Sequence, residues 1–158
     1  MGTRSEALAA DFEAACAEFA DEIKNLPQSK WGAVGPEGWT VAQLAQHVAG
    51  QFPLEMEFIT AAAEGRPLPS YNWDDINGKN DGRAAREAGV SKDEVLKTLS
   101  DGQASVAAYL RSLDDEQLDR TGKLALANGA EVTTEQLILG GVLIDHVRGH
   151  LQSIRAAE

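Results

Sequence analysis

Apolar residues recur every three or four positions over four long stretches of the chain, and each stretch starts with a Ser or Thr followed three residues later by Glu or Gln. The pairs are Thr3 with Glu6, Thr40 with Gln43, Ser91 with Glu94, and Thr133 with Gln136. In such a capping box the two side chains satisfy backbone donors that the first turn of a helix leaves orphaned. Trp39 with Leu44, Val90 with Val95, and Val132 with Leu137 can staple the last three starts by apolar contact. The pattern predicts helices over about residues 4–26, 41–64, 92–112 and 134–156, and hence an all-α four-helix bundle.

Between these stretches the chain carries breakers. NLPQSKWGAVGPEGW reads as a surface loop, and the segment from Gly65 to Gly89, with RPLPSYNWDDINGKNDGR at its centre, reads as a longer irregular one. LDDEQL suggests a short turn, and the Asn-Gly of KLALANGAEV suggests a small hairpin. Pro53 removes a hydrogen bond from the second helix, so it either kinks that helix or starts a new segment.

The chain has three histidines, and all interrupt apolar faces. Leu139, Leu143, His146, His150 and Ile154 form one stripe of the fourth helix; Leu44, His47, Leu54 and Phe58 form one of the second. His47 lies about 10 Å from the start of its helix, and the other two lie roughly 20 to 25 Å from the start of theirs. The three come level only if these helices are antiparallel. A long crossover after Gly65 permits that, because it lets the third helix run parallel to the second in an up-down-down-up order.

Two imidazoles at i and i+4 with a third from a facing helix make three ligands for one metal ion and leave a position open for water or substrate. The plainer alternative is that each is an ordinary hydrogen-bonded core residue. Gln51, one turn after His47, is placed to orient a water or a ligand imidazole, and equally to be a satisfied amide. Asp145 is turned about 100° from His146, so a salt bridge with Arg148 suits it better than ligation. In the long loop Tyr71, Asn72, Trp73 and Asn77 are suited to a lid, with Trp73 a pocket candidate or merely a plug at the core edge. Gly140, Gly141 and Gly149 are costly in a helix interior and imply close approach of another helix.

Composition narrows the function classes. A chain of 158 residues can bury one core, so a single domain over residues 1–158 is expected. A net charge of −11 without a basic, aromatic-rich patch argues against nucleic acid. The first nineteen residues alternate charged and apolar positions, unlike a signal peptide or membrane span. The lone Cys16 suits a reducing compartment, so a cytoplasmic protein is expected.

GWTVAQLAQHVAGQ, with DHVRGH about a hundred residues later, resembles the DinB-like family of four-helix-bundle metalloproteins, which includes the YfiT-like proteins. The likeness spans nearly the whole chain. It implies an up-down-down-up bundle with a divalent metal on His47, His146 and His150. The PEGWT start also resembles mycothiol-dependent maleylpyruvate isomerases, which carry a carboxylate where this chain has His146. The family implies thiol-dependent transferases, isomerases and hydrolases.

The leading expectation is therefore a metal-dependent enzyme that activates water or a low-molecular-weight thiol for hydrolysis, transfer or isomerisation of a small molecule. A binding or stress-response module with a structural or sensory metal is the alternative, and a metal-free helical interaction protein the third reading. Imidazole ligands suit zinc first, then nickel, iron or copper. Generous apolar positions and the face carrying Gly141, Asp145 and Gly149 lead to an expected homodimer.

Overall fold

The computed structural model describes residues 2–158. Its long elements are α1 (Thr3–Asn25), α2 (Val41–Gly50), α3 (Phe52–Ala63), α4 (Trp73–Arg86), α5 (Lys92–Ser112), α7 (Thr134–Leu139) and α8 (Ile144–Ala156). Between α5 and α7 lie the short helix α6 (Asp115–Asp119) and a hairpin of β1 (Thr121–Leu124) and β2 (Ala130–Thr133). The four rods of the bundle are α1, α2 with α3, α5, and α7 with α8. Among the described residues no helix is long and apolar enough to cross a membrane.

Polar contacts between rods fix their directions. Arg111, near the end of α5, binds Glu6 at the start of α1 (2.9 Å), so those helices are antiparallel. Arg148 meets Asp11 at 2.6 Å and Arg155 meets Glu18 at 3.4 Å, a constant offset that makes α8 parallel to α1. The Trp31 indole donates to the Val90 carbonyl (3.0 Å), bringing the loop before α2 beside the start of α5. Val34 and Glu158 exchange backbone hydrogen bonds of 3.2 Å, tying the end of α8 to the same end of the bundle. The order is up-down-down-up, with α2 antiparallel to α8 and the crossover running from α3 to α5.

The caps hold with one shift of position. Thr40 with Gln43 and Thr133 with Gln136 form both bonds of the capping box. Ser91 accepts from the Glu94 amide at 3.2 Å, while the Glu94 carboxylate takes the Ser91 hydroxyl rather than its backbone. Thr3 is not a cap. The cap lies one residue earlier at Gly2, whose N–H donates to the Ser5 hydroxyl, 3.1 Å away, and Thr3 is the first helical residue.

Two predicted rods are broken, and each break has a visible cause. Gln51 separates α2 from α3, and Pro53, whose missing N–H is harmless in a first turn, opens the new segment. Gly140 takes an extended conformation (ψ −159°) and ends α7, where an added Cβ would lie 2.9 Å from the Gln136 carbonyl oxygen. Gly140 and Gly141 thus serve a break rather than helix packing. The interruption also removes Leu139 from the histidine stripe, leaving it 41% exposed, whereas Leu143 and Ile154 stay buried.

The crossover is not the irregular loop that the sequence pattern implied. Its centre is the fourteen-residue helix α4, started by a reciprocal box between Asn72 and Asp75. Few of its residues are buried, so the apolar periodicity that marks the bundle helices is faint there. LDDEQL forms α6, capped by Asp114 and Gln117, and the hairpin pairs Thr121 with Thr133 through Leu124 with Ala130. Asn128 and Gly129, both at positive φ (57° and 78°), turn it.

At the core, the Phe12 and Phe52 rings meet edge to face with centroids 5.4 Å apart. Gly102 of α5 makes room for them, since a Cβ there would sit 2.7 Å from Phe52 Cδ2. Gly102→Ala would gain about 1 kcal/mol of helix propensity but overpack a closed core at about 1–3 kcal/mol. A lower urea midpoint is expected; a higher one would show that the Phe52 ring can turn aside.

Candidate metal centre

Three imidazoles converge where α2 faces α8. His47 Nε2 lies 3.0 Å from His146 Nε2, which lies 3.1 Å from His150 Nε2. Ring centroids are 4.6 to 4.9 Å apart in all three pairs, well within the reach required of a shared site. For tetrahedral zinc with bonds of about 2.0–2.1 Å, ligand nitrogens stand roughly 3.3 Å apart, close to this spacing. His47 is buried, and Trp39 packs its ring edge-on against it at 5.3 Å.

The outward nitrogens decide which tautomers face inward. His146 Nδ1 lies 2.6 Å from Glu55 Oε1, off the line of an ideal hydrogen bond. His150 Nδ1 lies 3.6 Å from Glu37 Oε1, and the Ser153 hydroxyl donates to that carboxylate at 2.5 Å. A carboxylate beside Nδ1 favours the Nδ1–H tautomer and leaves the Nε2 lone pair pointing inward. His47 Nδ1 is buried without a partner. Inward lone pairs about 3 Å apart repel unless a cation or shared proton sits among them.

Protons are resisted here. Burial, reinforced by the other two rings and by Arg83, pushes His47 down to about 2. Burial and His146 push His150 down to about 4, against the pull of Glu37. Glu55 moves the other way, because its burial outweighs the attraction of His146 and raises its pKa. Neutral imidazoles with convergent lone pairs are the donor set that a borderline divalent ion takes. The residues present therefore fit a metal ion, which His47, His146 and His150 can hold.

A cleft of about 480 Å³ opens beside the cluster. All three histidines line it, as do Glu55 and Gln51. Trp73 and Asn77 of α4 border it together with Leu124 and Leu126 of the hairpin region. Trp73 is 58% exposed and anchors through its indole N–H to the Leu126 carbonyl (3.0 Å), so it stands at the rim rather than plugging the core. Tyr71 lines a neighbouring cleft, and Asn72 caps α4.

The remaining candidates fall elsewhere. Gln51 lines the cleft but hydrogen-bonds to no imidazole: its amide donates to Asn80 at 3.2 Å and accepts from Arg83 at 3.4 Å. Asp145 is exposed, and Arg148 pairs with Asp11 instead of with it. Cys16 is buried in the core, where desolvation pushes its thiol up to about 12 and leaves it inert. Sequence reasoning missed Glu55 and Glu37. Glu55 had a signal, because residues 47, 51 and 55 continue one helical face; Glu37 sits in a loop that carries no periodicity.

An antiparallel pair of helices carrying three convergent histidines, one buried and two half-buried, in an up-down-down-up bundle defines a DinB/YfiT-like helical protein with a metal-type histidine cluster. The chain belongs to the DinB superfamily, whose family model matches residues 11–154. Solved structures agree in fold. YfiT from Bacillus subtilis, of unusual four-helix-bundle topology, is 17% identical over 98% of this chain and 86% of that one, with a TM-score of 0.76. A mycothiol-dependent maleylpyruvate isomerase is 16% identical over 99% of this chain, with a TM-score of 0.74, and this chain spans only 64% of it. The sibling lethal factor precursor DfsB is 20% identical over 98% of this chain and 95% of its own, with a TM-score of 0.71. No curated protein matches the sequence significantly.

The depressed histidine values give the metal-free protein a pH dependence. The unfolded chain takes up protons near pH 6.5 that folded His150 refuses until about pH 4 and folded His47 until about pH 2. Their stabilising contribution is thus complete above about pH 6.5 and falls as pH drops below it. Glu55, raised in the fold, acts in the opposite sense above its ordinary value. Urea midpoints of metal-free protein should fall between about pH 6.5 and 5, with a shallower slope in His150→Gln. An unchanged slope in that variant would mean that His150 is not held neutral.

Proposed function

We propose that this protein is a metal-dependent enzyme whose ion is held by His47, His146 and His150 and whose substrate enters the adjoining cleft. The observation that carries the reading is the convergence of three Nε2 atoms at 3.0 and 3.1 Å beside an open cavity. Zinc is the first choice, with nickel or iron as alternatives. When bound, such an ion acts as a Lewis acid that lowers the pKa of water or a low-molecular-weight thiol towards neutral. The chain's own residues do the rest. Glu55 and Glu37 stand beside the Nδ1 atoms of His146 and His150 at 2.6 and 3.6 Å and favour the tautomers with Nε2 free, while Trp39 packs against His47.

With all three histidines engaged, a carboxylate must handle any proton, and Glu55 is the one that lines the cleft. Burial raises its pKa above the ordinary carboxylate value, the direction expected of a group that takes up and releases a proton. Hydrolysis, thiol transfer and isomerisation are the reaction classes. Among the structural relatives, YfiT is described as a candidate metal-dependent hydrolase, and the isomerase as mycothiol-dependent. A non-catalytic metal-binding or stress-response module is the second reading; the cleft beside the cluster favours catalysis over it, since a purely structural site has no need of an open side.

Metal content of untagged protein tests the centre. His47→Ala, His146→Ala and His150→Ala should each lose most of the bound metal, while full stoichiometric binding in any one removes that residue from the ligand set. We also propose a homodimer through the exposed face of α8 that carries Asp145 and Gly149; Gly141, expected on the same face, lies in the break before α8 and borders the cleft instead. A Cβ at Gly149 would meet nothing within 4 Å, so no described helix of this chain occupies that face. A stable contact there would bury upwards of roughly 1,000 Å². Sedimentation at micromolar concentration should give the mass of two chains; one-chain mass throughout would remove the dimer and leave the metal centre standing.

A further inference from the structure

Beside the metal cleft lies a second one of about 420 Å³, and Gln51, Leu54 and Asn80 wall both. Its far side is the face of α4 that carries Lys79, Arg83 and Arg86. Every arginine outside α4 has a carboxylate within 4 Å: Arg4, Arg66, Arg111, Arg120, Arg148 and Arg155 are all ion-paired. Among the described residues, neither Arg83 nor Arg86 has such a partner. In a chain of net charge −11, carboxylates are plentiful, so two unpaired guanidiniums facing one cavity require a reason.

Their setting is built. Arg83 is fixed by donating to the Gly50 carbonyl at the end of α2 (2.5 Å) and to Gln51. Lys79 lies 5.2 Å over the Tyr71 ring, which lines the same cleft. Gly78 and Gly82, residues that weaken a helix interior, line it too. A Cβ at Gly82 would crowd Arg86 Nη1 at 3.3 Å, and one at Gly78 would project into open space. The missing side chains leave a floor of bare backbone beneath three cations.

We infer that this cleft is a subsite for a carboxylate of the substrate, held by Arg86, Arg83 and Lys79 while the substrate's reactive end lies in the metal cleft. The inference builds on the metal-centred reading above. Guanidinium pairs carboxylate and phosphate alike. The single charge of a carboxylate suits a strongly acidic protein with Glu57 at the cleft wall better than a phosphate dianion does.

The test is an NMR titration of the isotopically labelled full chain, incubated with zinc, using butyrate, its neutral isostere butyramide, and inorganic phosphate. Butyrate should shift the amides of Gly78, Gly82 and Arg86 saturably, butyramide should not, and phosphate should bind more weakly. Lys79→Gln combined with Arg86→Gln should weaken butyrate about tenfold, and Arg86→Lys far less, as expected for losing or keeping charge-assisted hydrogen bonds. Shifts confined to the surroundings of the histidines, equal affinity in the double variant, or preference for phosphate would each overturn the carboxylate subsite. Zinc content of the same samples separates the two claims. Stoichiometric zinc with a silent α4 removes the subsite alone; saturable α4 shifts without bound zinc keep the subsite and remove the metal reading.

Discussion

Three imidazoles cannot be packed nitrogen to nitrogen without something to share their lone pairs, and this constraint organises the rest of the molecule. It requires two helices, because one helix face supplies only the pair at i and i+4. It requires them antiparallel, because His47 stands in the first third of the rod formed by α2 and α3 and the pair stands well along the rod formed by α7 and α8. An antiparallel second and fourth rod in turn excludes simple up-down-up-down threading and forces the chain to travel from the far end of α3 back to the start of α5. The crossover made necessary by the histidines then supplies α4, which becomes the wall of their cleft.

The breaks in two rods belong to the same logic. At Gln51 the break is slight, since its backbone stays helical (φ −89°, ψ −14°), and α3 presents Glu55 to His146 on the face from which α2 presents His47. The break at 140–143 likewise separates α8 from α7, so that α8 can be set by its contacts with α1 through Arg148 and Arg155. Rigid supports around a site matter because ligand nitrogens must be held within a few tenths of an ångström before an ion arrives. Salt bridges on exposed faces contribute little stability each. Here their value is directional, in fixing which rods run together.

The bundle was legible because its signals are redundant. Capping boxes and an apolar stripe of period 3.6 agree at Thr40, Ser91 and Thr133, and the ends they set match the structure closely. The histidines were legible for a related reason: polar residues on otherwise apolar faces have few explanations. What escaped was written in weaker terms. α4 has the same kind of box at Asn72 and Asp75, but with Asn and Asp rather than Ser or Thr and Glu or Gln, and its face towards the bundle is short of apolar residues. Gly140 and Gly141 were read as packing glycines because nothing local distinguishes a close approach from a helix break; only the extended backbone at Gly140 does.

The same distinction explains why the site was only half visible. Ligand residues announce themselves by periodicity, since they occupy core positions on regular helices. The groups that orient them need no such regularity: Glu37 comes from a loop, and the hairpin rim is brought in by tertiary contact. The cations of α4 show the point from the opposite side. Lys79, Arg83 and Arg86 in sequence are ordinary surface residues, and they become conspicuous only when every other arginine is found paired and these face a cavity joined to the histidines. Chemistry at the centre of this fold is specified by position along a helix. The selectivity proposed at its edge rests on which charges the fold leaves without a partner.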